Sequence, residues 1–135
     1  LTDTWTSYSP TWRSSGTQPA LGNGTIAAAY RQSGKFAQVH ILLTIGSTST
    51  FGTGVYRFDT PSPWTFTTDR LHGLSMITDA TGNVYLGGTI VATAGLITCR
   101  VHGLPIATSP PTATIPMTWA NGDKWYLQFH GEVEP

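Results

Sequence analysis

Hydrophobic residues in this chain alternate with polar ones at a period of two, and almost nowhere at the spacing of a helix. No stretch of a dozen positions carries apolar residues at i, i+3, i+4 and i+7 without a Gly, Pro or β-branched interruption. The clearest alternation is Lys35–Ile45. There Ala37, Val39, Ile41, Leu43 and Ile45 fall on one face, and Phe36, Gln38, His40, Leu42 and Thr44 on the other. Lys124–Val133 repeats it, with Trp125, Leu127 and Phe129 opposite Tyr126, Gln128 and His130. Leu96–Val101 sets Ile97, Cys99 and Val101 against Thr98, Arg100 and His102. Weaker runs are Trp5–Arg13, Thr25–Gln32, Gly54–Asp59, His72–Thr78 and Val84–Val91. Turn chemistry separates them: Asn23-Gly24, Pro61-Ser62-Pro63, Gly82-Asn83 and Asn121-Gly122. About seven to nine short strands around one core predict an all-β domain, an antiparallel β-sandwich of jelly-roll type.

The second faces are unusual. A half-buried strand normally turns a charged face to water. Here Phe36, Gln38, His40 and Leu42, and likewise Tyr126, Gln128 and His130, are large, neutral and partly aromatic. Charge depletion with aromatic enrichment marks the core of an interface. The expectation is a homo-oligomer in which these seven residues pack sheet against sheet. Cover by long loops is the alternative.

Composition sharpens this. Of 135 residues, 10% are charged and the formal net charge is zero, against about a quarter charged in ordinary soluble domains. Twenty-three Thr and ten Ser supply most of the polar surface. No basic excess exists to displace counterions from phosphate, which argues against a nucleic-acid partner. No apolar run approaches the roughly 20 residues of a membrane-spanning helix, so no membrane insertion is expected. Leu1 replaces an initiator Met and nothing at the start resembles a signal peptide, so the chain reads as a piece of a longer one.

Several segments together carry a resemblance. Trp5-Thr6-Ser7-Tyr8-Ser9-Pro10-Thr11-Trp12 leads to Gly22-Asn23-Gly24-Thr25, then to Tyr30-Arg31-Gln32-Ser33-Gly34-Lys35. Leu43-Thr44-Ile45-Gly46-Ser47-Thr48-Ser49-Thr50-Phe51-Gly52-Thr53-Gly54 follows, and Thr118-Trp119-Ala120-Asn121-Gly122-Asp123 stands near the end. The chain resembles the C-terminal tip domains of bacteriophage tail-fibre and minor tail proteins, of the type found in actinobacterial phages and prophages. The likeness covers most of the sequence and is densest in 5–60 and 118–132; no diagnostic active-site motif belongs to it. It implies a homotrimeric β-sandwich that ends a coiled-coil or collagen-like stalk formed by the N-terminal part of the same polypeptide, with residues 1–14 nearest the stalk. It also implies an extracellular place on the virion, in the phage tail, and a part in host cell-surface recognition. The segments 61–75 and 105–116 look individual, as receptor-specific loops would.

Carbohydrate is the ligand class that the loops suggest, because sugars stack on aromatic rings and hydrogen-bond to amide, carboxylate and guanidinium groups. Trp64, with Asp69 and Arg70 behind it, forms the first candidate site, and Trp119 with Asn121 and Asp123 the second. Trp5, Tyr8, Trp12 and Arg13 cluster too, but Trp5 and Trp12 read as structural, plugging the sandwich or packing against a neighbour near the stalk junction, and Met117 and Trp119 alternate as core residues do. No histidine pair has the spacing of a zinc site, so neither metal nor cofactor is expected. His40, His102 and His130 read as interface groups whose protonation makes assembly acid-sensitive. A Gly-x-Ser-x-Gly elbow and a phosphate-cradling loop are absent, and the seven acids sit mostly in turns or at the end. The expectation is a non-enzymatic domain in which Cys99, between Ile97 and Val101, is an inert core thiol. A purely structural trimerisation cap and a small non-viral lectin-like module are the rival readings.

Overall fold

The computed structural model describes residues 4–61, 65–66, 72–93, 95–100 and 110–134. Eleven strands and no helix appear among them. In chain order they are β1 (Thr6–Tyr8), β2 (Trp12–Ser14), β3 (Thr25–Ser33), β4 (Phe36–Thr44), β5 (Tyr56–Asp59) and β6 (Thr65–Phe66), then β7 (His72–Thr78), β8 (Val84–Gly87), β9 (Thr89–Thr93), β10 (Leu96–Arg100) and β11 (Lys124–Glu134). They form two antiparallel sheets. The larger runs β1-β3-β4-β11-β7-β8, with β6 added to the far end of β11; the smaller runs β2-β5-β10-β9.

The strongest sequence patterns became the central strands. β4 and β11 pair from Phe36↔Glu132 to Thr44↔Lys124, and β11 also pairs with β7 from His130↔His72 to Lys124↔Thr78. Both long strands turn the expected face inward: Ala37, Val39, Ile41, Leu43, Trp125, Leu127 and Phe129 are buried. The smaller sheet answers with Trp12, Tyr56, Phe58, Ile97 and Cys99. Burying each large side chain of this kind contributes on the order of 1.5–3 kcal/mol.

Two runs that looked continuous are broken. Trp5–Arg13 splits at Ser9-Pro10 into β1 and β2, which belong to different sheets, because Pro has no N–H for a ladder and fixes the bend. Val84–Val91 splits at Gly88 in the same way, β8 staying in the larger sheet while β9 enters the smaller. The β3–β4 hairpin closes through Gly34-Lys35, where Gly34 (φ 59°) supplies the left-handed conformation that a two-residue turn requires.

Polar groups join the sheets across the core. The Trp125 indole N–H donates to Ser75 Oγ (3.0 Å), and the Cys99 thiol on the opposite sheet donates to the same oxygen (3.1 Å). Phe58 lies against Trp125, ring centroids 4.8 Å apart. Tyr56 gives its hydroxyl to Phe51 O (2.7 Å), and burial raises its ionisation above the ordinary tyrosine range. Cys99 is fully buried as expected, and desolvation pushes its thiol up to about 11.

The hydroxyl-rich loop after β4 is a latch. Asn23 N–H donates to Thr48 Oγ1 (2.8 Å), Asn23 Oδ1 accepts from Thr48 N (3.0 Å), and Asn23 Nδ2 donates to Ser47 Oγ (2.9 Å). Ser49 Oγ accepts from Gly46 N (3.0 Å) and donates to Leu21 O (2.6 Å). A Cβ at Gly46 would stand 2.1 Å from Asn23 Oδ1, so only glycine lets the two loops close.

Ser75→Ala leaves the buried Trp125 N–H without its acceptor, and a loss of about 1–3 kcal/mol is expected in urea denaturation; an unchanged midpoint would show that the indole has another partner. Cys99 should resist thiol reagents at about pH 8 until denaturant is added, since the thiolate is the reactive form. Labelling of the native protein would contradict its placement.

Candidate functional site

The outward side chains of the larger sheet form one continuous face. Cross-strand register fixes its rows. Leu86, Met76, Tyr126 and Leu42 are successive partners across β8, β7, β11 and β4, continuing to Ala27 on β3. Beside them run Leu74, Gln128, His40 and Ala29, and beside those His72, His130, Gln38 and Arg31. Glu132, Phe36 and Ser33 close the far end. All seven residues read from the sequence as an interface (Phe36, Gln38, His40, Leu42, Tyr126, Gln128 and His130) therefore stand on this one face.

The face has two unlike regions. On the β7–β8 side it is apolar: Leu74 is 69% and Leu86 60% exposed, with Val84 and Met76 also open. Leu74, Met76, Leu86, Tyr126 and Gln128 line a depression of about 450 Å³. Leu74 and Met76 have no sequence signal of exposure, because alternation in His72–Thr78 sets them as the more apolar face. Ser75 and Ile77 point inward while Leu74 and Met76 point outward.

Near the β3–β4 hairpin the face is aromatic and basic. Trp5 is 44% exposed and Phe36 47%. Arg31 lies over the Trp5 ring (4.8 Å to its centroid), and His40 packs on the same indole at 4.7 Å. The Arg31 Nε–H donates to Gln38 Oε1. His130 stands between Phe36 (centroids 5.4 Å) and His72 (5.8 Å). Trp5 is thus an outer-face residue, whereas Trp12 is the plug expected of it, edge-on to Phe51 and Tyr56. Tyr8 packs on the core and donates to Asp59 O (3.1 Å). Burial, with the Asp59 charge second, raises its ionisation. Arg13 pairs with the Asp59 carboxylate at 2.6 Å.

The loop clusters fare differently. Trp64, Asp69 and Arg70 lie outside the described residues, as does His102. Trp119 is 3% exposed, donates its N–H to Thr112 O (2.8 Å) and packs against Tyr56 and Trp125, so its ring offers no face to a ligand. Asp123 is buried with it. Its carboxylate accepts from Ala120 N (2.6 Å) in its own turn and from Ala80 N (2.8 Å) in the β7–β8 turn. Asn121, between them, is exposed. The three residues share a turn, and two of them are committed to holding it. Asp79 organises the neighbouring turn, accepting from Thr81 N (2.9 Å), Thr81 Oγ1 (2.6 Å), Asn83 N (3.0 Å) and Asn83 Nδ2 (2.9 Å). The hydrogen bonds from Thr81 and Asn83 lower its carboxyl to about 2.

No protein-family model matches the chain, and no curated protein or solved structure matches it.

Asp123→Ala removes a buried acceptor of two backbone N–H groups and is expected to cost about 2–3 kcal/mol in denaturant titration; a near-neutral result would mean that water replaces it. Asp79 binds its proton less readily when folded than the 3.8 of the free side chain. Its contribution is therefore present above about pH 4 and lost as pH falls towards 2. The gap in unfolding temperature between the native chain and Asp79→Ala should narrow over that interval; a constant gap would contradict the turn's geometry.

Proposed function

We propose that this chain is the tip domain of a phage tail-fibre or minor tail protein. In this reading three copies assemble through the outer face of the larger sheet, and the assembly meets host cell-surface carbohydrate without catalysing a reaction. The observation that carries it is the apolar region of that face. Leu74, Met76, Val84 and Leu86 are exposed together, with Leu42 and Tyr126 beside them. A contiguous patch of this kind on a monomer marks an interaction surface. β8 adds a reason, since it is the last strand of its sheet among the described residues, and a sheet edge favours cover. The resemblance in segments 5–60 and 118–132 supplies the fibre context. The chain's repeated crossing between sheets, from β4 to β5, to β7, to β9 and back to β11, supports the jelly-roll type within the two-sheet architecture.

Copies related by a threefold axis would place the Leu74–Leu86 regions around it and leave the hairpin end of each face at the rim. Neutrality suits this arrangement, because burying Thr44, Gln128 and Tyr126 costs far less than burying ions.

Light scattering at micromolar concentration is expected to return three times the 14.5 kDa chain mass. Leu74→Glu with Leu86→Glu should give a folded monomer, since two carboxylates then face an apolar seam. A monomer in the native chain at every concentration would overturn the assembly, and a dimer would overturn the threefold arrangement.

A further inference from the structure

Charge is distributed unevenly over this neutral chain. Three of the four acids with described side chains are committed: Asp59 to Arg13, Asp79 to its turn, and Asp123 beneath two backbone N–H groups. Glu132, on the outer face, is engaged as well. The hairpin end of that face, where Glu132 also stands, collects Arg31, Lys35, His40, His72 and His130. An exposed aromatic ring lies among them. Phe36 has a depression on each flank, about 220 Å³ against Arg31, Ser33 and Gln38, and about 320 Å³ against Ser33, Lys35 and Glu132.

Arg31 is held in place before any ligand arrives. Its guanidinium carbon lies over the Trp5 ring and Gln38 takes its Nε–H. The two NH2 groups carry the remaining four donors, in the planar fork that matches a phosphate or carboxylate. Fixing a long side chain in advance removes part of the entropy cost of binding.

From this arrangement we infer that the Arg31–Phe36 end of the larger sheet binds an acidic polysaccharide. A sugar ring would lie on Phe36 with its hydroxyls towards Gln38, Ser33 and His130, and its anionic group on the Arg31 fork. This deepens the glycan half of the reading above, on which it rests, and names the surface and the charge class. The ligand is a polyhydroxylated chain bearing phosphate or carboxylate. A flat aromatic ring flanked by donors suits alternating apolar and hydroxyl surfaces, and the local basic excess selects the acidic members of that class. The site is separate from the Leu74–Leu86 region, so one face can assemble at one end and bind at the other.

The test is isothermal titration of the whole 135-residue chain with poly(glycerol phosphate), polygalacturonate, neutral dextran and an oligothymidylate. Binding of at least one acidic polysaccharide is expected, dextran at least about tenfold weaker, and the acidic interaction weakened by about 0.5 M salt. Which polymer binds identifies phosphate or carboxylate as the recognised anion. Arg31→Gln and Phe36→Ala should each reduce affinity about tenfold or more, with unfolding midpoint and mass unchanged. Arg31→Lys keeps the charge and should fall between, because an ammonium lacks the planar fork. If the variants bind like the native chain, the ligand sits elsewhere and this assignment fails while the glycan reading stands. If the native chain binds none of the three polysaccharides, both fail. Dextran binding as tightly as the acidic polymers overturns the charge selection, and oligothymidylate binding most tightly overturns the ligand class.

Discussion

Trp125 carries a donor into the middle of an apolar core, and the two sheets are arranged so that this donor is satisfied. A buried N–H without an acceptor costs about 1–3 kcal/mol. Ser75 meets the requirement from β7, and Cys99 adds a second hydrogen bond to the same oxygen from the opposite sheet. The contact fixes three things together: β7 beside β11, the face of β7 that turns inward, and the depth at which β10 crosses. Because Ser75 points in, Leu74 and Met76 point out, and the apolar patch on the outer face follows from the same register. A one-residue slip of β7 would bury both and expose Ile77.

Neutral hydrogen bonding does elsewhere what ion pairs do in most domains. The Asn23–Thr48 latch and the Ser49 bridge to Leu21 join loops without any formal charge. Even the carboxylates at Asp79 and Asp123 are used chiefly as acceptors for backbone N–H groups. Such contacts depend little on salt, since charged surface pairs are the ones screened. The scarcity of charge therefore makes Arg31 and Lys35 conspicuous at the hairpin end of the outer face.

Assembly and recognition make opposite demands on a surface. Association through a seam favours residues that are cheap to desolvate, and Leu74, Met76, Leu86 and Tyr126 meet that demand. Recognition of a hydrated, charged polymer needs groups that stay wet and stay in place. Arg31 between Trp5 and Gln38 meets that one, with Phe36 as the platform. A sheet can serve both because its rows are rigidly spaced: register carries the change from leucine to arginine across one face without a loop in between.

The sequence by itself determined the strand class, the faces of β4 and β11 and the burial of Cys99, because period-two alternation is a local signal and the backbone geometry that reads it is local too. It also determined that the middle of those outer faces, from Gln38 to Leu42 and from Tyr126 to His130, carries no acidic residue, lysine or arginine, which is where the candidate surface lies. Two kinds of feature were decided only by tertiary structure. Asp123 reads as a turn residue beside Asn121 until Ala80 arrives from the β7–β8 turn to use its carboxylate, and Trp119, which alternates with Met117 as core residues do, takes its cover from Thr112, Tyr56 and Trp125. Trp5 and Trp12 read alike as structural residues, yet the bend at Pro10 sends the strands they adjoin to different sheets. The placement of Arg31 on Trp5, and of His72 beside His130, depends on which strands pair and in what register. Pairing is chosen by the packing of the whole core, so no window of sequence contains it.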